Sequence, residues 1–313
     1  MVTKNEIIAA LREHDNFLIL THTRPDGDTL CSACALCSAL RRTGKTAALY
    51  PNPEITENFE EMTSAYLAAE VSENAFVVSV DVAAENMFPV GFEGKADLCI
   101  DHHFSNSGFA PITFVNGDKA SCGEIVMELI ETMCGGLTKE EADLLYVAVS
   151  TDCGCFVYAN TKPETLRAAA KLVEYGAENA RLNKLFFRSF SFARLKLEGM
   201  IYASLRSERD NKINIAVITL KMMEESGATE NDCDDLASLA GKVRGNVVAI
   251  TIRELPDGRS KASVRTNHLV DASAVCAKFG GGGHAMAAGC TVDAGPDTLA
   301  EKLLQAVNEI WPE

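Results

Sequence analysis

The sequence predicts an α/β protein, with a parallel sheet flanked by helices in its N-terminal part and a smaller α/β domain in its C-terminal part. Three observations carry this. Short apolar runs alternate with segments of helical spacing, which is the pattern of parallel strands joined by crossover helices. Several of those runs stop abruptly at an acidic or imidazole side chain. The length, 313 residues, is enough for about two ordinary domains, each with its own core.

The first helix is expected over residues 5–12, where Ile7, Ile8 and Leu11 recur at helical spacing, and the first strand over 17–20, a continuous apolar run. That strand ends in Thr21-His22-Thr23-Arg24-Pro25-Asp26-Gly27-Asp28. Pro25 and Gly27 argue against regular structure, so His22, Asp26 and Asp28 are expected on a loop. A helix rich in small residues follows over 32–40. Cys31, Cys34 and Cys37 form a CxxCxxC pattern, but no fourth cysteine is suitably spaced, so packing against a sheet is the favoured reading over an iron–sulfur cluster.

The run 75–80 predicts a second strand, ended by Asp81, and 98–100 a third, ended by Asp101-His102-His103 before the polar turn 105–108. Strand ends in open α/β sheets are where ligands bind, so the triplet points to chemistry. Helices are expected over 124–130 and 140–149, the second closing on Asp152 just ahead of Gly154. Residues 165–197 read as helical, with a basic and aromatic stretch over 181–194. Strands are expected at 213–218, 247–252 and 262–265. Gly280 to Gly283 then lie between an apolar helix and His284, and an amphipathic helix over 298–310 closes the chain. Four glycines before a helix could form a hinge, but their bare N–H groups could also wrap an anion, and Arg265 could add a charge-assisted bond to it. The anion-binding reading is preferred.

Composition limits the function classes. A formal net charge of −15 excludes a protein that coats long nucleic acid by charge alone. No run approaches the roughly 18 to 20 apolar residues of a membrane-spanning helix, and the N-terminus has no secretory signal pattern, so a cytoplasmic protein without membrane association is expected. Eleven cysteines, several within apolar runs, fit reduced buried thiols better than disulfides.

His22, Asp26, Asp28, Asp81, His102 and Asp152 together supply two imidazoles and four carboxylates. Any one of the aspartates would ordinarily be a cap or a turn former, but independent caps have no reason to fall at matching ends of apolar runs. Four carboxylates brought close would repel one another strongly unless cations lay between them. Oxygen and nitrogen donors without thiolate suit Mn²⁺ or Mg²⁺ better than a structural zinc, and six donors suit two ions better than one. Such a pair promotes in-line displacement at phosphorus, so phosphoester hydrolysis is the expected reaction.

These residues resemble the motifs of the DHH phosphoesterases, in the subgroup with a C-terminal DHHA1 domain. The matches are residues 22–28, Asp81, Asp101-His102-His103, Asp152, and Gly281-Gly282-Gly283-His284 with Ala287-Ala288-Gly289. The resemblance implies a DHH catalytic domain over 1–180, a helical connector over 181–200 and a DHHA1 substrate-binding domain over 201–313, with the active site in a cleft between the domains. It further implies one Mn²⁺ held by His22, Asp26 and Asp81 and another held by Asp28, Asp81, His102 and Asp152. By the same resemblance His103 faces the substrate phosphate, Asp101 orients the motif, and Arg265, Gly281, Gly282, Gly283 and His284 bind the far end of the substrate.

The compact length resembles the nanoRNase and pAp phosphatase branch, which degrades very short single-stranded oligoribonucleotides and removes the 3′-phosphate of adenosine 3′,5′-bisphosphate (pAp). RecJ-like exonucleases need additional domains, and family II pyrophosphatases lack the glycine-His signature. A cyclic di-AMP or pApA phosphodiesterase is the runner-up. A non-catalytic nucleotide sensor ranks lower, since no metal-ligand position is lost, and a homodimer is compatible with the chain. Two departures from the family pattern stand out. Cys31 precedes Ser32 where glycine is usual, which is expected to crowd the phosphate approach. Cys153 and Cys155 replace Thr and Ser, which is expected to sensitise the site to oxidation or soft metals.

Overall fold

The computed structural model describes residues 1–233, 236–267 and 269–312, and the chain divides into two units, Met1–Ser189 and Phe190–Glu313. In the first, α1 (Lys4–Glu13) begins with a reciprocal cap: the Glu6 N–H donates to the Thr3 hydroxyl and the Thr3 N–H to the Glu6 carboxylate. The elements that follow are β1 (Phe17–Leu20), α2 (Gly27–Arg42), β2 (Ala47–Leu49), α3 (Glu57–Thr63), β3 (Phe76–Val80), β4 (Leu98–Asp101), β5 (Ile112–Val115), α4 (Cys122–Cys134), α5 (Lys139–Asp152), α6 (Pro163–Glu174) and α7 (Asn179–Phe187).

The five strands form one parallel sheet in the order β2-β1-β3-β4-β5. Strands covered on both faces read as unbroken apolar runs, which is why residues 17–20 and 98–100 show no alternation. Ile19, Val78, Val80, Leu98 and Ile100 face a large core shared with α1, α2, α4 and α5. The other face carries a thinner layer, in which Val77 and Cys99 lie under Phe88 and Phe109, whose rings meet edge to face. Strand order reverses direction on either side of β1, so the crevice for a ligand opens where the carboxyl ends of β1 and β3 diverge. His22 follows β1 and Asp81 follows β3.

Helix α2 is buried along nearly its whole length and packs against α5. Cys31, Cys34 and Cys37 are enclosed in that core, which agrees with the packing reading of the CxxCxxC pattern. Its start differs from expectation. Asp26 caps the helix, accepting from the N–H groups of Asp28 (3.0 Å) and Thr29 (3.2 Å), so α2 begins five residues before the predicted boundary and Asp28 lies in its first turn. An aspartate is a preferred cap, and this outweighs the turn signal of Pro25 and Gly27. Asp152 ends helix α5, in agreement with the helix expected over 140–149 that closes on it.

The second unit holds α8 (Phe192–Ala203), β6 (Arg206–Glu208), β7 (Ile213–Ile218), α9 (Leu220–Ser226), β8 (Val248–Glu254), β9 (Ser260–Thr266), α10 (Ala272–Ala277), β10 (Gly282–His284), β11 (Ala287–Val292) and α11 (Pro296–Glu309). Its six-stranded sheet runs β10-β11-β9-β8-β7-β6, with only β7 and β8 parallel. Along β7, Ile213 and Ile215 face the core that includes α10 and α11, whereas Ala216 and Ile218 face the core that includes α8, as the two-residue period of a strand requires. The glycine run also differs from expectation. It is not a loop leading into a helix, because Gly282 to His284 form the edge strand β10, paired antiparallel with β11. Among the described residues no helix is long and apolar enough to cross a membrane.

Candidate metal centre

The crevice at the carboxyl ends of β1, β3 and β4 collects the six side chains singled out in the sequence. Asp81 is at its centre. Its backbone is left-handed, with φ of +61°, in a region that aspartate tolerates better than most residues. Its N–H donates to the Ile100 carbonyl at 2.9 Å, which holds the turn and aims the carboxylate inward. Asp81 Oδ1 is buried and has no hydrogen-bond partner among the described residues. It lies 3.4 Å from His102 Nε2 and 3.5 Å from His103 Nδ1, while Asp81 Oδ2 lies 3.9 Å from His22 Nε2.

Each imidazole is oriented by its other nitrogen. His22 Nδ1 is 2.7 Å from the Thr23 carbonyl and His102 Nδ1 is 3.3 Å from that of Lys119. A carbonyl only accepts, so Nδ1 carries the proton and Nε2 is turned toward the carboxylates in both rings. His102 Nε2 is 3.9 Å from Asp28 Oδ2 and 3.9 Å from Asp152 Oδ2. Among the described residues three overlapping groups have donor atoms within 4.8 Å of one another: His22–Asp26–Asp81, Asp28–His102–Asp152 and Asp81–His102–His103.

The frame around these groups was not visible in the sequence. Asp28 is sealed beneath the first turn of α4, where its two oxygens accept from the N–H groups of Cys122 (2.6 Å) and Gly123 (2.9 Å), and Oδ1 also accepts from the Ser32 hydroxyl (3.0 Å). Thr29 bridges two strand ends, accepting from the His22 N–H and donating to the Val80 carbonyl. Asp101 is fully buried: its Oδ1 accepts from both the His102 and His103 N–H groups and from His103 Nδ1 at 2.8 Å, and its Oδ2 from Asn106 Nδ2 at 2.6 Å. Gly27 explains how α5 reaches the site. A Cβ there would lie 2.7 Å from Thr151 Cγ2, so only glycine lets the end of α5 bring Asp152 this close to Asp28.

The crowding of charge shows in proton affinity. Burial disfavours the charged form of His22, but the Asp26 and Asp81 carboxylates outweigh it and push the imidazole up to about 9. For His102 burial is likewise outweighed, by Asp81, Asp28 and Asp152, and the group is pushed up to about 10. Burial, reinforced by Asp81 and Asp26, lifts the Asp152 carboxyl to about 6. These groups bind protons more tightly folded than unfolded, so the metal-free protein loses stability as pH rises, first through about 6 and again from about 6.5 to 10. Melting of chelated protein is expected to fall as pH rises from about 6.5 toward 10, and saturating divalent cation should flatten that slope by replacing the protons. A pH-independent melting temperature of the chelated protein would contradict the cluster.

The structure corrects the expectation for two cysteines. Cys31 is completely enclosed in the core and presents nothing to an approaching phosphate. Cys153 is also sealed, and burial pushes its thiol up to about 12, which makes it a poor nucleophile and a poor ligand for soft metals.

The remaining predicted residues lie in the second unit. Arg265 on β9 is opposite Ala287 on β11, which is opposite His284 on β10, so Arg265 and His284 share one row and one face of the sheet with only a methyl between them. Both are exposed. Gly281 and Gly283 are required by close approach. A Cβ at the first would lie 2.5 Å from Cys290 Cβ, and one at the second 2.5 Å from the Ala287 carbonyl oxygen.

Comparison with known proteins agrees with these motifs. Residues 16–149 match the model of the DHH family, N-terminal domain, and residues 197–311 that of the DHHA1 domain. The chain is 34% identical over 296 residues to the bifunctional oligoribonuclease and PAP phosphatase NrnA of Thermus thermophilus, covering 93% of this chain and 89% of that one. It is 26% identical over 301 residues to the protein of the same name from Bacillus subtilis, covering 92% and 93%. The crystal structure of an exopolyphosphatase-related protein from Bacteroides fragilis has the same fold, with a TM-score of 0.87 at 20% identity over 98% of this chain and 95% of that one. The chain belongs to the DHH family of phosphoesterases, in the branch that carries a C-terminal DHHA1 domain.

Proposed function

We propose that this phosphoesterase uses two Mn²⁺ ions to hydrolyse very short single-stranded oligoribonucleotides to mononucleotides and to remove the 3′-phosphate of pAp, acting in the cytoplasm. The observation that carries the reading is the buried, unpartnered Asp81 Oδ1 at the junction of two donor groups. An anionic oxygen left without a hydrogen bond in the interior is costly unless a cation answers it. The oxygen and imidazole donors around it are those hard divalent ions take. Similarity to the two NrnA proteins over almost the full length of each supports the substrate class.

His22, Asp26 and Asp81 would hold one ion, and Asp28, Asp81, His102 and Asp152 the other, with Asp81 as the bridge. When bound, such a pair would lower the pKa of a water and stabilise charge on the phosphoryl oxygens. The chain's own residues do the rest. Asp101 accepts a hydrogen bond from His103 Nδ1 and holds the imidazole above its ordinary value, which favours the protonated ring, whose Nε2–H can donate to a phosphate oxygen or to the leaving group. Side-chain exposure of 41% leaves this nitrogen reachable. Arg265, the backbone of Gly281, Gly282 and Gly283, and His284 would add binding groups for the substrate. The same proposal sets the working boundaries at 1–180 for catalysis, 181–200 for the connector and 201–313 for substrate binding.

The test is product release with Mn²⁺ from pAp, from ribonucleotides of two to five residues and from cyclic di-AMP. Release from pAp and short RNA, with the cyclic dinucleotide untouched, is the expected result. Turnover of cyclic di-AMP or linear pApA alone would overturn the reading in favour of a signalling phosphodiesterase.

A further inference from the structure

Two exposed aromatic side chains lie close in sequence to residues of the cluster. Phe104 directly follows His103, and its side chain is 84% exposed. Tyr158 lies six residues beyond Asp152 and is about half exposed. Each ring lies against a glycine. A Cβ at Gly117 would fall 2.5 Å from Phe104 Cδ1 and Cζ, and one at Gly154 would fall 2.5 Å from Tyr158 Cε1 and 2.6 Å from Cε2. Glycine is therefore what allows each ring to rest on bare backbone, and the high exposure of Phe104 leaves its opposite face open.

The loops that back these rings also hold the cluster. Lys119, two residues after Gly117, provides the carbonyl that orients His102. Asn160, two residues after Tyr158, donates to the Asp152 carbonyl at 3.1 Å and to the Ala120 carbonyl at 3.2 Å, joining the two loops. A singly exposed phenylalanine is ordinarily unremarkable. A ring seated on a glycine, next to the histidine that faces the phosphate, has the form of a platform.

We propose that Phe104 is a nucleobase-stacking residue of the substrate site, with Tyr158 as a second ring on the Asp152 side. This rests on the nucleotide substrates proposed above. Every base offers a π-face, so stacking here would favour nucleotides over base-free phosphoesters without selecting one base.

The experiment compares Phe104→Ala, Phe104→Leu and Phe104→Trp with the parent on a diribonucleotide and on the corresponding dinucleotide with both residues abasic. Phe104→Ala and Phe104→Leu are expected to raise KM for the diribonucleotide roughly 5- to 100-fold with a much smaller change in kcat, and Phe104→Trp to restore it. On the abasic dinucleotide the loss should be no more than about two-fold, since no base remains to stack. Parent-like KM in Phe104→Leu, or an equal loss on both substrates, would overturn the proposal. If the parent turned over no nucleotide, the substrate reading would fail separately, and stacking would be read by calorimetry with Mn²⁺ present. A preference of the parent for AMP over ribose 5-phosphate that disappears in Phe104→Ala supports the proposal, and equal binding of the two contradicts it.

Discussion

Asp81→Asn is expected to reduce turnover of pAp and short RNA by roughly 10³-fold or more, beyond the 10²- to 10³-fold typical of removing a single preorganised electrostatic group. Among the described residues Asp81 is the one carboxylate within 4 Å of both His22 Nε2 and His102 Nε2, so neutralising it weakens both donor groups together. Asparagine has nearly the same volume and tolerates the left-handed backbone at φ of +61°. The fold should therefore survive, and the circular dichroism spectrum should match the parent. Steady-state kinetics beside that spectrum checks the expectation. Activity within ten-fold of the parent would show that the shared carboxylate is not central.

The second large effect is expected at Asp101, a positioning residue. It reaches the reaction only through His103, which it orients at 2.8 Å and holds above its ordinary pKa. In Asp101→Asn the amide leaves one of four donors facing another donor, because Asp101 accepts from two backbone N–H groups, from His103 and from Asn106. A fall in kcat of about 10- to 100-fold is expected, with KM little changed and metal content intact. Without the Asp101 charge His103 releases its proton at lower pH, so the alkaline limb of the rate profile should shift to lower pH. A uniformly lower profile of unchanged shape would instead indicate a purely structural role for Asp101.

The six side chains of the cluster were legible because their identity is unusual where the sequence places them: carboxylates and imidazoles at the close of apolar runs. The parallel sheet was legible for a related reason, since unbroken apolar runs such as 17–20 and 98–100 suit strands buried on both faces. What orders the cluster was not legible. The Asp28 carboxylate is held by backbone N–H groups at Cys122 and Gly123, more than ninety residues away, and any residue type supplies such donors. The left-handed turn at Asp81 leaves no mark in composition either. At Asp26-Gly27-Asp28 the residues gave two local signals, a turn and a helix cap, and tertiary packing of α2 against α5 decided for the cap. In the second unit the glycines were visible, but their pairing as an edge strand depends on β11, whose close backbone approach excludes a Cβ at Gly281 and Gly283.

The central claim, that the crevice at β1, β3 and β4 holds two ions bridged by Asp81, is tested most directly by titrating chelated protein with Mn²⁺ and recording stoichiometry and electron paramagnetic resonance together. The account predicts two ions per chain and an exchange-coupled spectrum, as for ions roughly 3.5 to 4 Å apart, with the coupling lost in Asp81→Asn. Saturation at one equivalent, or two ions with the uncoupled spectrum of isolated Mn²⁺, would contradict it.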